Sequence, residues 1–123
     1  MRGLPLKILL TGANGQVGWE LARSLQPHGE VIACDRRHAD LSRLAALAAL
    51  VEAAAPQVLV NGAAYTAVDR AEQEPAIADT INGEAPGALA AAAHRVGALL
   101  VHYSTDYVFD GSGDAPRRED APV

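Results

Sequence analysis

The stretch LKILLTGANGQVGWEL, Leu6 to Leu21, decides the fold of this chain. Its first part, Leu6–Thr11, is a short apolar run that stops at a glycine. Such a run reads as a strand buried on both faces, as in a parallel sheet. From Gln16 the spacing becomes helical. Val17, Leu21 and Leu25 fall on one face, and His28-Gly29 ends the helix. Between strand and helix, Gly12, Gly15 and Gly18 stand three apart, at a strand-turn-helix junction.

The rest of the chain repeats this alternation. EVIACD (Glu30–Asp35) is a second strand. DLSRLAALAALVEAAAP is a helix ended by Pro56, with Asp40 or Ser42 as its cap. QVLVNGAA (Gln57–Ala64) is a third strand. Glu72 to Ala93 is helical, broken in two at Gly83, Pro86 and Gly87. ALLVHYST (Ala98–Thr105) is a fourth strand, and SGDAPRREDAPV is loop. Strands alternating with helices predict an α/β fold with a doubly wound parallel sheet of the Rossmann type, incomplete at about four strands. Residues 1–111 are read as the dinucleotide-binding part, and 112–123 as a loop leading out of it.

Composition narrows the function. The chain has 123 residues, enough for one domain, and half of them are hydrophobic. Its net charge of −5 argues against nucleic acid as a partner, which requires basic patches. An anionic small molecule is still allowed, because backbone N–H groups bind phosphate whatever the net charge. Cys34 is the only cysteine, so no internal disulfide forms, and its thiol reads as a small buried hydrophobe. No apolar run is long enough to span a membrane. The amino-terminal apolar stretch runs straight into the glycine motif, so it reads as a strand and not a signal peptide, with the cytoplasm as the expected location.

Each glycine of the loop has a distinct task in such a junction. Gly12 permits the tight turn, Gly15 lets the backbone approach a pyrophosphate, and Gly18 lets the helix pack on the strand. The pyrophosphate would rest on the helix N-terminus, where free N–H groups and the dipole favour an anion. Asp35, closing the second strand, stands where an adenosine ribose is gripped. A carboxylate there favours the free 2′-OH of NAD. Arg36 and Arg37, which follow at once, would hold the 2′-phosphate of NADP or else line a solvated loop. NADH or NADPH is therefore the expected cofactor.

Three motifs carry a family resemblance: ILLTGANGQVGWEL from Ile8, VLVNGAAYTAVDRAE from Val58 and VHYSTDYVFDG from Val101. With the PRREDAP tail, they make the chain resemble the dTDP-4-dehydrorhamnose reductase family of the extended short-chain dehydrogenase/reductase superfamily. The resemblance implies that Gly15, Gln16 and Val17 line the pyrophosphate and Asp35 the ribose. It also implies that Asp40 and Leu41 lie near the adenine, Ala64, Tyr65 and Thr66 at the third strand's end, and Tyr103 on the nicotinamide side. Thr105 matches the Ser/Thr of the superfamily's catalytic Ser/Thr-Tyr-Lys set, and Thr105 and Asp106 would touch a dTDP-4-keto sugar. Glu20 matches an acidic position where some relatives hold magnesium at a dimer interface. Here it reads as a solvated carboxylate, and no metal site is expected. The full-length protein is allowed to be a homodimer. Gly62 departs from the family's usual alanine and would loosen the cofactor wall, while Gly83 and Gly87 would loosen the helix after Asn82.

The superfamily's Tyr-x-x-x-Lys pair has no counterpart among these residues. The tyrosines are Tyr65, Tyr103 and Tyr107, and the only lysine is Lys7. The expectation is thus the N-terminal, cofactor-binding part of a reductase of dTDP-4-dehydro-6-deoxysugars, inactive as this chain alone. The alternative is a non-catalytic nucleotide-binding or regulatory module of the same fold.

Overall fold

Four short strands, β1 (Leu6–Thr11), β2 (Gly29–Cys34), β3 (Val58–Asn61) and β4 (Leu99–His102), lie parallel in the order β2-β1-β3-β4. This is a computed structural model, and it describes residues 5–123. Helix α1 (Gln16–Ser24) joins β1 to β2, and α2 (Leu44–Ala54) joins β2 to β3. From β3 the chain runs through α3 (Val68–Gln73), α4 (Pro75–Asp79), a π turn at Thr80–Glu84 and α5 (Ala85–Val96) to β4. The sheet grows outward from β1 in both directions, so right-handed crossovers put α1 on one face and α2 and α5 on the other.

Packing follows this layout. Successive residues of β1 point to opposite faces. Leu9 joins Leu41, Leu47, Val51, Leu59 and Leu89 in the core under α2 and α5. Ile8 and Leu10 join Val60 in a smaller core beneath Leu21, Ala22 and Leu25. Every residue from Ile8 to Thr11 is buried, as a central parallel strand requires. A fully buried leucine such as Leu9, Leu47, Leu59 or Leu89 contributes about 1.5–3 kcal/mol over its exposed state. Small side chains, Ala85, Ala92 and Ala93, fill the core side of α5.

The expected strands are present: β1 has the expected bounds, β2 is shifted by one residue, and β3 and β4 are shorter than expected. β3 stops at Asn61 and β4 at His102, where their registers meet the end of β1 at Thr11. Beyond those positions the backbone peels away as loop. Asp40 does not cap α2: its carboxylate accepts from Ser42 N (2.9 Å) and Oγ (2.7 Å), closing its own turn. Helix α2 ends at Ala55, in the left-handed region (φ 42°), ahead of Pro56.

The helical stretch before β4 breaks earlier than its glycines predict. The interruption falls at Glu74-Pro75, and the chain is wound continuously from Pro75 to Val96. Pro86 explains the π turn, because its ring would clash with the carbonyl of Asn82 in a regular α-helix. Widening the backbone over Thr80–Glu84 accommodates the ring without ending the helix.

Candidate functional site

Because all four strands run parallel, the segments that follow them leave from one edge of the sheet. After β1 comes the glycine loop, and after β2 comes Asp35 to Leu41. Gly62 to Thr66 follows β3, and Tyr103 to Asp106 follows β4. The β1 and β3 connections leave toward opposite faces. This divergence is the switch point at which open α/β sheets bind their ligands.

The three glycines differ in what demands them. Gly12 has a φ of 71°, which favours glycine, and a Cβ there would lie 2.7 Å from Ala63 N. A Cβ on Gly18 would lie 1.8 Å from the Gly12 carbonyl oxygen. The protein's own packing therefore requires both. Gly15 is different. Its backbone (φ −80°, ψ 172°) suits any residue, and a Cβ there would meet only Gly12 O, at 3.4 Å. Helix α1 starts on Gly15 with no side-chain cap and no acidic residue in its first turn. An uncapped helix start behind a glycine that packing does not require fits a bound pyrophosphate. Gln16 and Val17 are exposed at this start, Val17 at 50%. Ala13 N donates to Cys34 O (3.0 Å), tying the loop to the end of β2.

Asp35 is held by its own loop. Arg37 N and His38 Nδ1 lie against Oδ1 at 3.0 and 2.9 Å. Arg37 Nε and Nη2 donate to Oδ2 at 3.0 and 2.8 Å. These bonds, with the Arg37 guanidinium foremost, lower the carboxyl's pKa to about 2. Next to it the Cys34 thiol is pushed up, first by burial and then by the Asp35 charge. Leu41 lies in the core at 4% exposure, so its side chain is taken up by packing.

The loop after β3 is braced from two sides. Asn61, buried at the end of β3, accepts from Thr11 Oγ1 (2.6 Å) and from Ala63 N (3.3 Å). With its oxygen so used, its amide nitrogen faces His102 Nδ1 (3.1 Å), which accepts and leaves the ring proton on Nε2. From the π turn, Asn82 Oδ1 accepts from Tyr65 N (2.8 Å) while Asn82 Nδ2 donates to Tyr65 O (3.0 Å). Tyr65 OH donates to Glu74 Oε2 (2.7 Å), which raises the phenol's pKa. That phenol is therefore a structural donor. Gly62, read above as a loosening, does the reverse: a Cβ there would lie 3.0 Å from Thr11 O and 3.4 Å from Gly18 Cα, so glycine lets β3 close on α1.

Thr105 and Asp106 are exposed at the end of β4. Thr105 Oγ1 accepts from Tyr107 N (3.2 Å), opening a short 3₁₀ turn, and directs its proton at Asp106 Oδ1 over a long 3.4 Å. The hydroxyl thus closes the strand end against its backbone, yet its proton is weakly held. Tyr103 beside it is 48% exposed. Lys7 lies in β1 with Nζ on Ala54 O (2.8 Å), closing the end of α2. Among the described residues no cluster of three or more His, Cys, Asp or Glu gathers as for a metal ion. No described helix is long and apolar enough to cross a membrane.

Sequence reasoning passed over Asn61, Asn82 and Glu74. Asn61 leaves a signal, a polar residue inside an apolar strand that pairs with Thr11 in register. For Asn82 the signal is Pro86, four residues on.

The family described as "RmlD substrate binding domain" matches residues 6–123. The chain belongs to this family. A dTDP-4-dehydrorhamnose reductase of Burkholderia thailandensis is 62% identical over 118 residues, which is 96% of this chain and 40% of that protein. The crystal structure of a dTDP-4-dehydrorhamnose reductase ortholog from Clostridium acetobutylicum matches with TM-score 0.90 at 44% identity, over 96% of this chain and 42% of that one. A Bacillus anthracis dTDP-4-dehydrorhamnose reductase, solved in complex with NADP, matches with TM-score 0.86 at 35% identity, over 92% of this chain and 41% of that one. This RmlD-family chain spans about two fifths of the length of the curated relatives it matches. The fold is thus the Rossmann-type parallel sheet of these relatives.

Proposed function

We propose that this chain is the cofactor-binding part of an NAD(P)H-dependent reductase of dTDP-4-dehydro-6-deoxysugars. One observation carries the reading: the parallel sheet brings the glycine loop, Asp35, Ala64–Thr66 and Thr105–Asp106 to a single edge. Residues 1–111 hold the dinucleotide, and 112–123 lead toward the rest of such a protein. Gly12, Gly15, Gln16, Val17 and Gly18 form the pyrophosphate cradle. Asp35 and the backbone of Asp40 and Leu41 line the adenosine side, and Ala64, Tyr65, Thr66 and Tyr103 continue toward the nicotinamide. A bound NADH or NADPH would supply the hydride. Thr105 would turn its hydroxyl proton from Asp106 to the keto oxygen of the sugar and stabilise the negative charge that builds there. Asp106, released from Thr105, would accept a hydrogen bond from a sugar hydroxyl.

The test requires the complete protein, made by adding a family C-terminal portion. Valine at Thr105 keeps the shape and removes the donor. An interaction strongest in the transition state is read in kcat more than in KM. Thr105→Val is expected to lower kcat on the order of 10²–10³-fold, with Thr105→Ser retaining most activity. An unchanged kcat in a folded Thr105→Val protein would reduce Thr105 to the cap of its 3₁₀ turn.

A further inference from the structure

All three asparagines of the chain, Asn14, Asn61 and Asn82, are followed by glycine. Asparagine is among the chemically labile residues. A glycine after it presents a backbone nitrogen with no side chain in the way, open to attack the carboxamide carbon. That attack needs a side chain free to swing back and a backbone free to turn. The fold withholds both from two of the three. Asn61 is 2% exposed, its carboxamide is held by Thr11, Ala63 and His102, and Gly62 N donates to Thr11 O (3.2 Å). Asn82 is wound into the π turn, and both ends of its carboxamide are bonded to the Tyr65 backbone. Asn14 is different. It is exposed in the turn of the glycine loop, and no hydrogen bond holds its carboxamide among the described residues. Gly15 N is held by Gly12 O (3.0 Å), across the same turn. A Cβ on Gly15 would meet only that oxygen, at 3.4 Å, so the space beside the nitrogen is open. One turn must open to free Asn14, where a sheet or a helix must open to free the others.

We propose that Asn14 is a site of spontaneous deamidation, and that its conversion shuts the pyrophosphate cradle. The consequence rests on the proposed dinucleotide site; the chemistry does not. Hydroxide takes the Gly15 amide proton, Gly15 N bonds to Asn14 Cγ, and the Cγ–Nδ2 bond breaks, the nitrogen leaving as ammonia with a proton from water. Water then opens the cyclic imide. Opening at the side-chain carbonyl leaves aspartate. Opening at the main-chain carbonyl leaves isoaspartate, with the backbone rerouted through Cβ and Cγ. Nothing is oxidised or reduced. Either product places a new carboxylate one residue before Gly15, where α1 starts without a side-chain cap. The free N–H groups and the dipole at that start attract the carboxylate, which takes the place of a pyrophosphate and repels it.

The test incubates the 123-residue chain at mildly alkaline pH, native or in urea, with and without NADPH, and follows tryptic peptides by mass spectrometry. Each asparagine falls on its own peptide, residues 8–23, 44–70 and 71–95. In the native chain Asn14 is expected to convert faster than Asn61 and Asn82 on the order of tenfold or more. In urea the three rates should converge, and saturating NADPH should slow Asn14 in the native chain. By calorimetry, the converted chain and the Asn14→Asp variant should bind NADPH more weakly than fresh chain, on the order of tenfold or more. Circular dichroism confirms the fold of each. Asn14→Gln, whose longer side chain does not close the same ring readily, should keep its own starting affinity through the incubation. Equal native rates at the three asparagines, or faster conversion at Asn61 or Asn82, would overturn the site. Converted Asn14 with undiminished NADPH affinity would overturn the shutting of the cradle while the dinucleotide site stands. Fresh, folded chain that binds neither NADPH nor NADH would overturn the dinucleotide reading and the shutting with it, and the peptide rates would still decide Asn14.

Discussion

A Cβ at Gly18 and a Cβ at Gly15 would approach the same atom, Gly12 O, at 1.8 and 3.4 Å. That difference separates folding from binding at single residues. Gly18→Ala is expected to destabilise the chain by about 3 kcal/mol or more, because backbone must move to admit the methyl group. Gly15→Val is expected to cost within about 1 kcal/mol, since its backbone already suits valine and only the helix cap worsens. The same valine fills the cradle and should abolish dinucleotide binding. Urea denaturation and calorimetry on both variants check this, and Gly15→Val binding NADPH as before would remove the pyrophosphate from the loop. Cys34 offers an independent probe. It is 5% exposed and its pKa is raised, so the thiolate that reacts is scarce in the folded chain. Ellman's reagent should label it slowly at neutral pH and rapidly in urea; fast labelling of the folded chain would contradict its burial.

At the scale of elements, the strand-glycine-helix junction was legible because two periodicities meet at Gly12. The order of strands and helices follows from the same contrast. What stayed hidden were features created by contact across the sheet. The end of β3 is set by pairing with Thr11, and the bracing of Asn61 exists only once β1, β3 and β4 lie side by side. The π turn is the clearest case. Gly83 and Pro86 look like breaks in a helix, yet nothing lies within 4 Å of a Cβ on Gly83, and the helix continues through it. The deformation turns Asn82 toward Tyr65, where it pairs with the backbone as a neighbouring strand would. Asn82→Ala removes both bonds, and in this exposed setting the expected loss is ~1 kcal/mol. Hydrogen exchange at the Tyr65 amide gives the sharper readout. Its protection should fall well beyond the global change, and unaltered protection would mean that the Ala64–Thr66 loop holds its shape without Asn82.

For the whole molecule, the decisive asymmetry is in what covers the sheet. Two long helices pack one face, while α1 alone packs the other, over β1. On that second face Leu99 is 64% and Val101 37% exposed, and among the described residues β4 pairs only with β3. A parallel sheet is stable in water when both faces are covered, and an unpaired edge is a template for another strand. An apolar strip running beside such an edge should drive association of the isolated chain. The double variant Leu99→Thr, Val101→Thr puts β-branched residues, which strands favour, at both positions while making the strip more polar. It should remain dispersed at concentrations where the unaltered chain associates, with little loss of stability, because neither side chain is buried to begin with. Light scattering over a concentration series, beside thermal melts, decides the matter. Association that persists unchanged in the double variant would move its cause away from β4, to other exposed apolar groups such as Val17 and Trp19 on α1.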